Sequence, residues 1–434
     1  MKVKKLFISL ISICIAFLCV FTGCSSSPSW VRNTIRMYYY RFDGDYSDFE
    51  DMSGLSIGEM VAKLDIYSGY YTREEYARVI ADNEGNKSGV GVSYTFEEGA
   101  GVVFRSVIGN SPAKKEGLKA GDVAVSALTY NGESVEFKKS ADFSGFITAR
   151  GDGENFTLNL SDGRSVTLAK ADYTASYVSM YTSDITYDIE YENGVRKIVE
   201  SEGGIEQLPE GTAYMYMSQF FGKADEEMAA LIEKFNAKGC TSLILDLRDN
   251  GGGYVDLMAK IGGLFTASIN DEQHVAMIAR FKDGSEAVTN CEEFSRDSDK
   301  FNTCVVPKGT DVYVMANGNT ASASEALIGV LVSYDILKYE NIFLSKYGDS
   351  PVKSYGKGIM QSVFENYITG EALKLTVAGI YWPKNDKTIH GVGLTEADGC
   401  TAAPAPDSIV NVGYDYELEP VIAKIKAVRA GQNA

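Results

Sequence analysis

The apolar and polar positions divide the chain into three regions with different periodicities. Residues 33–86 carry apolar and charged residues at helical spacing and predict a small N-terminal helical unit. Residues 87–170 contain short apolar runs separated by Asn-Gly and Asp-Gly turn signals, which predict a β-rich segment. In residues 171–434, apolar strands alternate with amphipathic helices. Such alternation is typical of an α/β core with a largely parallel sheet, so the predicted fold class is α/β, or α+β for the whole chain.

The third region is predicted to contain three strands and three helices that alternate along the chain. The strands are Thr212–Met217, Ser242–Leu247 and Asp311–Met315, and the helices are Ala224–Lys238, Val255–Phe265 and Ser324–Tyr334. We find no internal repeat.

The first residues have the pattern of an export signal. Three lysines precede an apolar run from Leu6 to Phe21, and Cys24 follows at a break of small residues. This pattern favours a signal peptide, residues 1–23, over a membrane span, although an uncleaved N-terminal anchor is the alternative. The break resembles the lipobox of bacterial lipoproteins, with Phe21 in place of the usual leucine. The resemblance implies a lipid on Cys24 and a tether over residues 24–32.

The charge balance limits the partners. Residues 1–23 hold three of the 41 Lys and Arg residues and none of the 59 Asp and Glu residues, so their removal lowers the net charge from −18 to −21. Such acidity favours solubility and disfavours nucleic acid and anionic lipid as partners. Oligomerisation is left open.

Histidine and cysteine are scarce. His274 and His390 are the only histidines, which nearly excludes histidine-based activation of a hydroxyl and histidine-rich metal sites. Four cysteines follow Cys24 without zinc-type spacing. Among them, Cys291 and Cys304 could form a disulfide; we favour four buried thiols.

Two elements join a predicted strand to a predicted helix. Ser322 lies in the small-residue turn 317–324, where backbone N–H groups and a helix N-terminus favour negative charge. The same residues, Ser322-Ala-Ser-Glu325, are also an ordinary capping box. The glycine run 251–253 could present N–H groups to a carbonyl oxyanion, or could simply be a tight turn.

Lys357 is a candidate general base. A lysine accepts a proton only when neutral, so its pKa must fall from about 10.4 towards roughly 7–8 through burial. The flanking Gly356 and Gly358 are expected to let its backbone pack against the serine turn. The alternative is an exposed loop lysine, and His390 is interpreted as a structural or rim residue.

Several motifs in the same order resemble the carboxyl-terminal processing peptidases, also called tail-specific proteases. They are Asp246-Leu-Arg-Asp-Asn-Gly-Gly-Gly253, Thr320-Ala-Ser-Ala-Ser-Glu325 and Tyr355-Gly-Lys-Gly-Ile-Met-Gln361. Residues 64–76 resemble the family's N-terminal helical motif, and residues 88–92 with 110–122 resemble its PDZ domain. Residues 391–398 are similar to the segment that closes its core.

The resemblance implies the role of each site residue. Ser322 would be the nucleophile, Lys357 the general base and Gln361 the residue that orients the lysine. The amides of Gly252 and Ala323 would form the oxyanion hole, with Glu325 and Ser354 as supporting residues. The PDZ loop Gly89, Val90, Gly91 and Val92 would bind a terminal carboxylate. No metal or cofactor is implied.

The chain departs from the family between Ser322 and Lys357, which are further apart than usual. The excess is placed within Ser333–Gly348 and is expected to loop out at little cost. The family's supporting aspartate would align with Ser333, which is not an acid, or, after a shift, with Asp335.

The resulting hypothesis has five segments: a signal peptide (1–23), a lipidated tether (24–32), a helical region (33–86), a PDZ domain (87–170) and a serine peptidase core of the crotonase/ClpP-like α/β type (171–434). The protein would cleave proteins or peptides with accessible C-termini at the outer face of the bacterial cytoplasmic membrane. The alternative is a lipid-anchored PDZ peptide-binding protein with a weak or inactive core. A Ser–His esterase is disfavoured because the G-x-S-x-G elbow is lacking.

Overall fold

The computed structural model describes residues 27–269, 274–291, 304–346, 351–403 and 415–432. The helices are α1 (Ser27–Tyr38), α2 (Ile57–Val61), α3 (Arg73–Asn83), α4 (Pro112–Lys115), α5 (Ser140–Thr148), α6 (Ala224–Ala237), α7 (Val255–Thr266), α8 (Ala323–Ser333) and α9 (Glu419–Gln432).

The strands build four sheets. They are β1 (Gly69–Tyr71), β2 (Asn86–Gly89), β3 (Val92–Glu97), β4 (Gly101–Val107), β5 (Val123–Tyr130), β6 (Glu133–Glu136), β7 (Phe156–Leu160), β8 (Ser165–Leu168), β9 (Ala171–Thr174), β10 (Val178–Tyr181), β11 (Ile185–Glu192), β12 (Val195–Glu202), β13 (Thr212–Met217), β14 (Ser242–Asp246), β15 (Val275–Phe281), β16 (Glu286–Asn290), β17 (Asp311–Ala316), β18 (Ile342–Leu344), β19 (Ile359–Glu365), β20 (Ala372–Tyr381) and β21 (Thr401–Ala402).

The largest sheet has eight strands in the order β12-β11-β10-β13-β14-β17-β18-β21. Strands β13, β14, β17, β18 and β21 pair in parallel, whereas β10, β11 and β12 extend the sheet as an antiparallel meander. Every residue of β14 is buried, which explains its continuous apolar run. The prediction of a largely parallel sheet is therefore right for the central strands and wrong for the meander.

A second sheet brings distant parts of the chain to the same place. Strand β20 pairs antiparallel with β1, β15 and β19. The N-terminal region is thus not purely helical, because its strand β1 joins the sheet that contains the β19–β20 hairpin. Helices α7 and α8 pack against one another and, with the sheets, form one large apolar core. The mixed α/β fold class is confirmed by this architecture.

Residues 92–168 have an apolar core of their own. Five strands follow the order β3-β4-β5-β7-β8, with β6 paired to β5, and enclose buried residues such as Phe104 and Phe143. Strand β3 lies at the edge of this sheet. The short pair β2 and β9 connects the unit to the rest of the chain. The β-rich segment predicted for residues 87–170 is therefore present, and its assignment as a PDZ domain remains a prediction.

Three further expectations can be compared with the fold. The loop-out predicted for Ser333–Gly348 is wrong for Ile342–Leu344, which form the buried strand β18. Cys240, Cys291, Cys304 and Cys400 are free and buried. Across the described ranges, we find no helix with the length and hydropathy required to traverse a bilayer.

Candidate active site

The turn that carries Ser322 lies at the N-terminus of α8 and is strained. Ser322 has φ 60° and ψ −117°, a left-handed conformation that is uncommon for a residue with a side chain. Such strain persists only where the surroundings enforce it, and it clusters at functional sites. Here the surroundings are well defined, because Asn250 accepts a hydrogen bond from the Ala321 amide at 3.0 Å and another from the Ser324 hydroxyl at 2.9 Å.

Glu325 connects the serine turn to the lysine segment. Its carboxylate is fully buried. Oε2 accepts the amides of Ser322 at 3.0 Å and Lys357 at 2.9 Å, while Oε1 accepts the Ser354 hydroxyl at 2.6 Å and the Gly356 amide at 2.8 Å. Burial raises the pKa of this carboxyl, and the four hydrogen bonds oppose the rise. One side chain therefore fixes the backbone on both sides of the proposed dyad.

Lys357 is held in surroundings that favour its neutral form. Burial lowers its pKa to about 8, and repulsion from Lys374 acts in the same direction. Attraction to Asp65 and Glu325 opposes this fall without cancelling it. A lysine with a pKa near 8 is partly neutral at physiological pH and can accept a proton there.

The lysine amine contacts an aromatic ring that belongs to the N-terminal region. Lys357 Nζ lies 4.8 Å from the centroid of the Tyr67 ring. The Tyr67 hydroxyl in turn donates to the Tyr355 hydroxyl at 2.9 Å, and its amide is bound by Asp65. Within the described ranges, no hydrogen bond joins the Ser322 hydroxyl to the Lys357 amine. The structure therefore shows the lysine above Tyr67 rather than engaged with the serine.

Sequence reasoning missed Tyr67 as a site residue. The one signal for it in the sequence is its position within residues 64–76, which resemble the family's N-terminal helical motif. Tyr67 and Lys357 are far apart in the chain, so their contact is visible only in the folded structure.

The glycine run approaches the serine turn closely. A Cβ on Gly252 would lie 2.8 Å from the Ala321 carbonyl oxygen, 2.9 Å from the Ala323 nitrogen and 2.9 Å from the Ser322 Cβ. Gly252 also has φ +98°, so only glycine fits without strain. Its amide donates to Asn250 Oδ1 at 3.0 Å. The backbone amides of Gly252 and Ala323 are thus neighbours. To donate a hydrogen bond to an oxyanion, the Gly252 amide must break or share its hydrogen bond to Asn250.

The glycines beside Lys357 pack elsewhere than expected. A Cβ on Gly356 would lie 2.7 Å from the Gly393 nitrogen, and one on Gly358 would lie 2.8 Å from the His390 nitrogen. The expectation that they allow packing against the serine turn is wrong; they allow close approach of the segment 390–393. His390 stacks on Phe42 with ring centroids 4.7 Å apart, and burial lowers its pKa.

Gln361 lies on β19 and contacts the neighbouring strand. Its amide nitrogen donates to the Thr376 hydroxyl at 3.1 Å. The Thr376 amide donates to the Ser68 hydroxyl at 3.0 Å, so the residue after Tyr67 is linked to the same strand. The proposed role of Gln361 in orienting Lys357 stays a prediction.

The proposed carboxylate-binding loop precedes the edge strand β3. Gly89 ends β2 and Val92 begins β3. The carbonyls of Val90 and Gly91 accept the amides of Ala113 and Ile108 at 3.0 and 2.9 Å, which fixes the loop. An edge strand can pair with an added peptide strand. Cys24, the proposed lipidation site, lies outside the described residues.

Comparisons with known proteins concern the region that contains this site. Residues 211–397, which include Ser322 and Lys357, match the model of peptidase family S41. The expectation of a serine peptidase is confirmed, as is the resemblance at the level of this family.

Similarity to individual proteins extends beyond residues 211–397 and covers most of the chain. Proteins assigned as CtpA-like serine proteases in Staphylococcus saprophyticus and Staphylococcus haemolyticus are 25% and 24% identical. The matches cover 95% and 92% of this chain and 74% and 71% of those proteins. The crystal structure of a protein assigned as an S41 protease from Bacteroides fragilis matches with a TM-score of 0.59 at 16% identity, covering 94% of this chain and all of that one. It supports the fold.

Proposed function

We propose that this serine peptidase is a lipid-anchored endopeptidase that recognises C-terminal tails and cleaves peptide bonds with a Ser322–Lys357 dyad. The observation that carries the proposal is the Glu325 carboxylate, which binds the amides of both residues. Such a link is required if a nucleophile and a base from different elements are to keep a productive geometry. The fall in the pKa of Lys357 to about 8 provides additional support.

The reaction would begin when the lysine amine leaves the Tyr67 ring and approaches the serine. Neutral Lys357 accepts the proton of the Ser322 hydroxyl as the oxygen attacks the peptide carbonyl. The amides of Ala323 and Gly252 donate to the oxyanion of the tetrahedral intermediate. The lysine then passes its proton to the leaving amine, which yields an acyl-enzyme. Water hydrolyses this ester with Lys357 again acting as the base.

Substrate selection would use the edge strand of the β-rich unit. A C-terminal tail adds to β3 as a further strand, and the loop Gly89–Val92 receives the terminal carboxylate. The support for this role is the edge position of β3 and the fixed loop before it. A lipid on Cys24 would hold the enzyme at the outer face of the cytoplasmic membrane, where exported proteins are the substrates.

The test compares the mature protein with its Ser322→Ala and Lys357→Ala variants on an unfolded protein and on a peptide with a free C-terminus. Cleavage by the unchanged protein alone supports the dyad. Equal cleavage by all three proteins would refute it. The lysine's position above Tyr67 favours a second candidate, a peptide-binding protein with a catalytically inactive core. Tight peptide binding without cleavage by any of the three proteins would support that candidate instead.

A further inference from the structure

The β19–β20 hairpin carries two highly exposed large apolar side chains at its tip. Tyr367 is 85% exposed and Ile368 is 84% exposed. The tip is an ordered turn, because the Gly370 amide donates to the Asn366 carbonyl at 2.7 Å and the Ile368 amide donates to the Asn366 side chain at 3.1 Å. Two large apolar groups displayed on a hydrogen-bonded turn contribute little to the fold, and such display is typical of an interaction site.

The same hairpin binds the start of the described chain. The Ser27 hydroxyl donates to the Glu371 carboxylate at 2.6 Å, and the Thr369 hydroxyl donates to the same oxygen at 2.7 Å. Ser27 follows Cys24 by three residues, a distance of at most about 11 Å in an extended chain. A lipid on Cys24 would therefore enter the bilayer close to the hairpin tip.

We propose that Tyr367 and Ile368 lie in the interfacial layer of the bilayer that holds the lipid on Cys24, so that the protein contacts the membrane at two neighbouring points. The inference rests on the lipidation included in the proposed function. Tyrosine is enriched at the membrane–water interface, and isoleucine inserts readily. Residues 367–370 are uncharged, which suits a protein whose acidity makes contact with anionic lipid unfavourable.

The two contacts would fix the height of the active site above the membrane. Strand β19 runs from Ile359, close to Lys357, to Glu365 at the tip. Its seven residues span roughly 23 Å. With the tip in the interface, the length and tilt of this hairpin set the distance between the dyad and the membrane surface. Substrates would then be cleaved in segments that extend well beyond the membrane surface.

The experiment uses the full chain, processed and lipidated, in phosphatidylcholine vesicles. In an Ile368→Cys variant the introduced thiol is labelled with an environment-sensitive nitrobenzoxadiazole dye. The native thiols in the described chain are buried, and the Cys24 thiol carries the lipid. The matched control is Val195→Cys, at a 64% exposed position on β12. Flotation of the vesicles shows first that the protein is anchored.

We expect the dye at position 368, but not at position 195, to shift to the blue and at least double its emission on vesicles, and to be quenched by brominated lipids. Unchanged emission from anchored protein would overturn the inference and leave the anchor intact. A change that depends on protein concentration without vesicles would instead indicate a second copy, which also overturns it. Failure to float would overturn both anchor and orientation, while cleavage of a soluble peptide would still support the dyad.

A functional readout completes the test. The double variant Tyr367→Ser, Ile368→Ser should float as before and cleave a soluble unfolded protein at the unchanged rate. Its rate on a vesicle-anchored substrate should fall severalfold. Held by the lipid alone, the protein can rotate, and the active site no longer stays at a fixed height above the membrane. Equal rates on the anchored substrate would contradict the inference.

Discussion

Replacement of Glu325 by glutamine removes one charge from the centre of the site and leaves the side-chain shape unchanged. In one orientation the new amide nitrogen faces the N–H groups of Ser322 and Lys357; in the other it faces the N–H of Gly356 and the hydroxyl of Ser354. Either orientation leaves at least one buried backbone N–H without an acceptor. We therefore expect Glu325→Gln to impair both the fold and the reaction.

The size of the effect follows from the hydrogen bonds. An unsatisfied buried N–H costs about 1–3 kcal/mol, and the remaining bonds lose the strengthening that a charged acceptor provides. Removal of a buried charge offsets part of this loss. The free energy of unfolding should fall by roughly 2–4 kcal/mol. Because Ser322 and Lys357 are no longer fixed to a common acceptor, kcat/KM should fall by about 100-fold or more.

The chain offers a matched control at Glu227, which is also fully buried. One of its oxygens accepts the amides of Tyr177 and Val178, and the other accepts the Tyr191 hydroxyl at 2.6 Å. A glutamine at this position can keep all three bonds, because the tyrosine hydroxyl can rotate to accept from the new amide. Glu227→Gln should therefore remain folded and active.

The assays are urea unfolding followed by circular dichroism and cleavage of a fluorogenic peptide at saturating and low concentration. The reasoning requires a large loss for Glu325→Gln and a small one for Glu227→Gln. If both variants matched the unchanged protein in stability and kcat/KM, Glu325 would not organise the site. If both lost stability equally, burial alone would explain the effect.

Other predictions concern the glycine run, the ring above the lysine, and tail recognition. Gly252→Ala should lower kcat/KM by roughly 100-fold, because the new Cβ would collide with the serine turn. Gly251→Ala is the control: its Cβ meets nothing within 4 Å, so kcat/KM in steady-state kinetics should hardly change. Tyr67→Ala should raise the midpoint of the acidic limb of the pH–rate profile above 8, since exposure returns the pKa of Lys357 towards its free value. Tyr67→Phe keeps the ring and should leave this midpoint within about half a pH unit. A uniform loss of activity without a shift of the midpoint would refute the role of the ring in lowering the pKa. Amidation of a substrate's C-terminus should raise KM severalfold and leave kcat unchanged, and equal KM values would contradict tail recognition.

Those parts of the site that lie within continuous motifs could be predicted from the sequence. The strand and glycine run at 242–253 and the turn before α8 each have a local signature, because a buried parallel strand, a Cβ-free turn and a helix start impose their residue types locally. The bounds of α6, α7 and α8 accordingly differ by only one or two residues from the predicted ones. The three strands of the core agree equally well.

The remaining features depend on contacts between distant segments. The approach of Gly358 to His390 and the contact of Lys357 with Tyr67 join segments that are far apart in the chain, which no local pattern records. The buried strand β18 is not evident in the sequence, because its three apolar residues are too few to give a periodic signal. The hydrogen bond from the Gly252 amide to the Asn250 side chain is local, but the sequence does not reveal it, because the direction of a loop amide is fixed only in the folded loop.

The most direct test of the dyad is the rate at which a fluorophosphonate labels Ser322, measured by mass spectrometry between about pH 6 and about pH 10. The rate should rise with pH and level off with a midpoint of about 8, because the lysine becomes neutral as pH passes its pKa. Lys357→Ala should label very slowly at every pH. A rate that does not change with pH, or one that persists in the Lys357→Ala variant, would contradict activation of Ser322 by this lysine.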